Sequence, residues 1–103
     1  MLIQMAEHGL VFSLRDRGRR MRAEVLQRMS TGRGETLILD FADVRSVSNS
    51  FADEFVGVLA ESMAPNAPEV INALPGVAKR IEGSLRRRDL NVDRIMAAVL
   101  TRA

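Results

Sequence analysis

The chain of 103 residues has no cysteine, no tryptophan, no tyrosine, one histidine and one lysine. The missing thiols exclude disulfides, zinc–thiolate centres, iron–sulfur clusters and cysteine nucleophiles. His8 alone supplies neither a histidine metal cluster nor a conventional Ser-His-Asp triad. The only aromatics are four phenylalanines, each within an apolar stripe or strand, which argues against recognition of single-stranded nucleic acid by stacking. Gly32-Arg-Gly34 lacks the spacing of a phosphate-binding loop. No segment approaches the roughly 20 apolar residues of a membrane span. The opening MLIQMAEHGL has no basic region, long apolar core or small-residue cleavage site, so no signal peptide is expected and the default location is the cytoplasm. These absences lead to the expectation of a non-enzymatic protein with no cofactor, no metal and no membrane contact.

What is present is an ordinary globular composition, 47% hydrophobic and 27% charged, sized for one domain over residues 1–103. Fourteen of the 15 cations are arginine, so a net charge of only +2 carries the isoelectric point to about 10.4. The charges are segregated. Residues 13–34 carry a net +5, residues 35–69 a net −6 and residues 70–103 a net +4. This order, basic then acidic then basic, predicts a polarised surface.

Leu2 to Met5 and Leu10 to Phe12 read as two strands or one interrupted strand. From Leu14 to Met29 the apolar residues Leu14, Met21, Val25, Leu26 and Met29 recur on one helical stripe, with Ser13 as its N-cap and Gly32 and Gly34 as its stop. Thr36 to Phe41 predicts a central strand buried on both faces. A short extended step follows at Arg45 to Val47, and a helix begins at Ser50 with Phe51, Phe55, Val58, Leu59 and Met63 on its stripe, ending before Pro65 and Pro68. Glu69 to Ala73 predicts a further strand. Pro75 opens a helix with Val77, Ile81 and Leu85 inward, and Asn91 caps a last helix bearing Val92, Ile95, Met96, Val99 and Leu100. Alternating strands and helices predict an α/β domain with a small, mixed, partly parallel central sheet and three to four helices packed on it.

The most informative stretch is Leu37 to Leu59, LILDFADVRSVSNSFADEFVGVL. A strand ends at Asp40, and Ser48-Asn49-Ser50 delivers the chain onto a helix. Ser50 and Asp53 have the spacing of a capping box, and the free N–H groups there favour an anion. The pattern L-D-F-x-x-V-x-x-V-x-x-S-F-A-D-E resembles the STAS-like domains of small uncharacterised bacterial proteins, distant relatives of the anti-sigma-factor antagonists. The resemblance covers roughly residues 10–88. It implies a single STAS-like domain that binds a signalling protein, such as a histidine-kinase-like ATPase or an anti-sigma factor, and it allows a homodimer.

In the antagonists the matching turn reads Asp-Ser-Ser-Gly, and its second serine is phosphorylated. Here the four positions are Ser48, Asn49, Ser50 and Phe51, so the resemblance puts Ser50 on the phosphorylated serine. The leading Asp and the Gly are replaced, which alters what a kinase would meet. The candidate partner-binding residues are therefore Ser48, Asn49, Ser50, Asp40, Asp53 and Glu54. Each also has a plainer reading: a helix cap for Ser50, a turn cap for Asp40, and acids easing a helix dipole for Asp53 and Glu54. Arg15, Arg19 and Arg22 form a secondary basic surface, or simply a solvated helix face. The alternative function is an arginine-rich nucleotide or nucleic-acid binding protein.

Overall fold

The computed structural model describes residues 1–29 and 35–100, so the expected helix stop at Gly32 and Gly34 lies outside the described residues. Strand β1 (Leu2–Gln4) leads through a single 3₁₀ turn (Met5–Glu7) to β2 (Val11–Phe12). Helix α1 (Arg15–Met29) follows, then β3 (Ile38–Asp40) and β4 (Ser46–Val47). Residues 49–63 form one continuous helical run made of α2 (Asn49–Ala52), a π-helical turn (Asp53–Gly57) and α3 (Val58–Met63). Strand β5 (Glu69–Ile71), α4 (Pro75–Arg87), α5 (Val92–Ile95) and α6 (Ala97–Leu100) complete the chain. The first two apolar runs are thus separate strands, and the last expected helix is two short ones.

The strands form two ladders. One runs β1-β3-β5, with Ile3 opposite Leu39 and Leu39 opposite Val70; the other pairs β2 with β4, Phe12 opposite Val47. Every pair among the described residues is parallel, which corrects the expectation of a mixed sheet. The reason is connectivity: a helix separates β1 from β3 and β3 from β5, and such a crossover returns the chain to the same end of the sheet.

β3 is central, as expected, but its burial alternates. Leu37, Leu39 and Phe41 are fully buried, whereas Ile38 and Asp40 are half-buried, so the strand is not closed off equally on both faces. The expected α4 stripe of Val77, Ile81 and Leu85 lies in the core, as do Phe51, Phe55 and Leu59 of the central helix. Val58 and Met63, expected on the same stripe, are only half-buried, and Val56 is buried instead, because the π-helical turn shifts the helical phase. Phe12, Phe51 and Phe55 form an aromatic line, with ring centroids 4.8 and 5.5 Å apart. Pro75 occupies the first turn of α4, and the Asn91 side chain accepts a hydrogen bond from the Arg94 N–H at 3.1 Å, both as the sequence predicts. Leu14 departs from expectation. It is 63% exposed because α1 begins after it, its carbonyl accepting the bond from Gly18 N–H, so Ser13 is not the cap.

Candidate functional site

The Ser48–Ser50 turn lies where β4 feeds the central helix, between α1 on one side and α4 on the other. β4 ends at Val47 because the chain is held on β2: Ser48 N–H donates to the Phe12 carbonyl at 2.8 Å, and Ser48 Oγ–H donates to the Ser13 carbonyl at 3.0 Å. The same Oγ accepts from Phe51 N–H at 3.0 Å. The N-cap is therefore Ser48, two residues earlier than expected, and Ser50 lies within the first helical turn. The expected Ser50–Asp53 capping box does not form, because Asp53 is engaged elsewhere.

The helix then sorts the candidate residues by periodicity. Positions 49 and 53 face α4, while 50 and 54 face α1. On the α4 side, Arg80 donates to Asn49 Oδ1 at 3.1 Å. One turn on, the buried Ser84 hydroxyl donates to Asp53 Oδ1 at 2.9 Å, and Arg88 grips both Asp53 oxygens at 3.0 Å through Nε and a terminal nitrogen. Arg88 also reaches Glu61 at 3.1 Å. Arg80, Ser84 and Arg88 follow one another at four-residue spacing, which lines them along the central helix. The Arg88 hydrogen bond is the main force holding the Asp53 carboxyl below its ordinary value, against the opposing effect of burial, and it raises Arg88 in return.

On the α1 side, Ser50 Oγ accepts from Arg15 at 3.3 Å, and three arginines converge on Glu54. Arg15 lies at 2.7 Å, Arg22 at 3.0 Å and Arg19 at 3.5 Å from its carboxylate; Arg22 also donates to the Glu54 carbonyl at 2.6 Å. The hydrogen bond from Arg15, aided by Arg22 and the charge of Arg19, holds the Glu54 carboxyl below its ordinary value although burial pushes it up. Asp53 and Glu54 thus bind the two flanking helices to the central one instead of standing as a free acidic pair. Arg15, Arg19 and Arg22 turn part of their charge inward, so α1 presents less basic surface than its composition suggests.

Two glycines that the sequence reading did not single out make these contacts sterically feasible. A Cβ on Gly57 would lie 2.3 Å from Ser84 Oγ and 2.9 Å from Arg88 Nε, so the bare backbone there is what lets Arg88 lie across from Asp53 to Glu61. Gly18 of α1 is also close to the central helix but less tightly, with Glu54 Cβ 3.2 Å from where its own Cβ would be. The available signal was spacing: Gly57 stands four residues from both Asp53 and Glu61, opposite a Ser-x-x-x-Arg pair.

Asp40 does not join this group. Its Oδ1 accepts from Ala42 N–H at 2.9 Å and from Asn72 Nδ2 at 3.0 Å, tying the turn after β3 to the end of β5. It borders a separate cavity of about 260 Å³ with Gln4, Glu7 and Asp43. A cavity of about 570 Å³ is also away from the turn, between Asn72, Pro75, Lys79, Glu82 and Val99. Beside the turn, three apolar side chains are left in solvent: Leu10, Val11 and Leu14, at 42, 56 and 63% exposure. They flank Phe12 and Ser13, whose carbonyls hold Ser48. No group of three or more metal-ligating side chains occurs among the described residues, and no helix there is long and apolar enough to cross a membrane.

No curated protein and no solved structure matches the chain. A family model described as a STAS-like domain of unknown function (DUF4325) matches residues 17–73, from α1 through the turn and the central helix to the end of β5. The match spans more than half of the sequence and contains Asp53, Glu54, two of the three α1 arginines on Glu54 (Arg19 and Arg22) and the Ser48–Ser50 turn, and the chain belongs to this STAS-like family.

Proposed function

We propose that the protein is a non-enzymatic regulatory module that binds a signalling protein through the face around the Ser48–Ser50 turn. The observation that carries this reading is the solvent-exposed trio Leu10, Val11 and Leu14 beside that turn. Exposed apolar side chains close in sequence to polar ones match the composition of a protein interface. Asn49 is exposed on the α4 side of the turn, and Ser50 is half-buried on the α1 side, beside Arg15. The residues that would make a nucleotide or nucleic-acid surface on α1 are instead partly satisfied by Glu54. The family resemblance supports a kinase-like ATPase or an anti-sigma factor as the partner, with Ser50 as the residue on which a phosphate would act. A phosphate on Ser50 would compete with Glu54 for Arg15, loosening α1 at the edge of the proposed contact.

The test is affinity capture from the source cells with the wild type, Val11→Asp/Leu14→Asp, Ser50→Asp and Arg20→Glu. All four substituted positions are surface or first-turn sites, so circular dichroism is expected to be unchanged. A protein retained by the wild type and Arg20→Glu, lost with the double variant and weakened by Ser50→Asp, supports the reading. Retention by the double variant, or recovery of nucleic acid that Arg20→Glu abolishes, overturns it.

A further inference from the structure

Three arginines of α1, Arg15, Arg19 and Arg22, are drawn toward Glu54, and Arg88 is held by Asp53 and Glu61. The outward face of α4 is different. Lys79, Arg86 and Arg87 are exposed, and among the described residues none of them makes an ion pair. Arg80 is exposed and meets only the neutral amide oxygen of Asn49. Two of these cations, Lys79 and Arg80, line a cavity of about 440 Å³ with Asn49, Gly76 and Gly83, and no acid is in its wall. Glu82, the one acid of α4, lines a different cavity, which Lys79 also borders. Arg87 adds to the field that lowers Asp53 without pairing with it, and its guanidinium lies 3.4 Å from where a Gly83 Cβ would be.

We propose that this groove along α4 docks an acidic peptide segment of the partner protein. The proposal rests on the interaction-module reading above and names the chemistry of what that module engages. Charge complementarity selects an acidic occupant: Lys79 and Arg80 line the groove, Arg87 lies beside Gly83, and the lining holds no carboxylate. The stretch from Gly76 to Arg87 is about 16 Å at helical rise, the length of about five residues of extended chain. Without a side chain at Gly76 or Gly83, an extended main chain can approach the helix closely. Nucleic acid fits less well, since all four phenylalanines are fully buried and none is offered to a base. The groove shares Asn49 with the Ser48–Ser50 turn, so one partner can cover both.

The experiment uses the purified full chain and a fluorescein-labelled hexaglutamate peptide, read by anisotropy at low salt. Lys79→Glu/Arg87→Glu is expected to weaken binding at least ~10-fold. Gly83→Leu, which keeps the charge and fills the groove, is expected to weaken it several-fold, and Arg20→Glu on α1 to leave it unchanged. The proposal is overturned if the peptide does not bind, if Arg20→Glu weakens it as much as the α4 variant, or if Gly83→Leu has no effect. Equal or tighter binding of hexathymidine, or of phosphatidylserine vesicles, overturns it as well. Loss of the hexaglutamate result while Val11→Asp/Leu14→Asp still disrupts partner capture removes this inference and leaves the module reading standing.

Discussion

Helices α1 and α4 are both rich in arginine, yet they spend their charge in different ways. In α1, Arg15, Arg19 and Arg22 share a face and meet a single carboxylate, Glu54, whose side chain is only 14% exposed. In α4, only Arg88 is bound to acids, and Lys79, Arg86 and Arg87 remain in water. Composition gives both helices the same description. What separates them is which residue of the central helix stands opposite: Glu54 reaches out to three cations on one side, while Asp53 is closed off by Arg88 and Ser84 on the other. Counting arginines therefore overstates the unpaired charge of α1, although Arg15 and Arg19 keep about half of their side chains in solvent.

The two flanks meet at Phe55, and removing it tests whether they are one structural unit. Phe55 is fully buried and its ring lies 5.5 Å from that of Phe51. Phe55→Ala is expected to cost about 3–5 kcal/mol in urea denaturation, because the cavity opens between helices that cannot collapse independently. A loss under ~1 kcal/mol would mean the flanks are held by their ion pairs and not by the shared core.

The next effect separates the flanks. Glu54→Ala leaves Arg22, whose side chain is 22% exposed, without its carboxylate, and the expected cost is about 2–3 kcal/mol. Asp53→Ala should cost somewhat less, since its side chain is more exposed, at 26%, and Arg88 keeps Glu61. Both carboxyls are held below their ordinary values of 3.8 and 4.5 in the folded protein. Each therefore contributes stability that is complete above those values and is lost as pH falls through the lower folded-state ones. Wild-type stability should fall on acidification in that range, and the double variant Asp53→Asn/Glu54→Gln should lose most of the slope. A double variant with an undiminished acid slope would assign it to other carboxylates.

How much of this was legible follows from how local each feature is. The core face of α4 and most of that of the central helix are readable because Val77, Ile81 and Leu85, and Phe51, Phe55 and Leu59, keep helical period. Val58 does not follow it, because the π-helical turn before it buries Val56 instead. The turn itself was readable from Ser48-Asn49-Ser50 preceding that period. The identity of the cap was not. Both serines suit an N-cap, and the choice depends on where β2 releases β4, a pairing across 35 residues. Asp53 looked like a capping partner for the same reason, since nothing near it in sequence announces Arg88. Leu14 kept the period of α1 but fell just outside it, so an apparent core residue became part of the exposed patch. The uniformly parallel pairing was hidden because strands of two or three residues carry too little pattern to fix direction.

The smallest effects distinguish the two glycine contacts. Gly57→Ala places a methyl group 2.3 Å from Ser84 Oγ and 2.9 Å from Arg88 Nε. Both atoms are fixed by Asp53, so relief means breaking those hydrogen bonds, and the expected cost is about 1–2 kcal/mol. Gly18→Ala meets only Glu54 Cβ at 3.2 Å and two backbone atoms at 3.4 Å. A displacement of a few tenths of an ångström relieves that contact. Alanine also favours the interior of α1 over glycine by roughly 0.5–1 kcal/mol, which offsets most of the crowding. The two variants should therefore differ in sign or nearly so: Gly57→Ala clearly destabilised, Gly18→Ala within ~0.5 kcal/mol of the wild type. If Gly18→Ala proved as costly as Gly57→Ala, the α1 flank would be as tightly fitted as the α4 flank. The contrast between a tolerant arginine cluster around Glu54 and a rigid clasp around Asp53 would then fail.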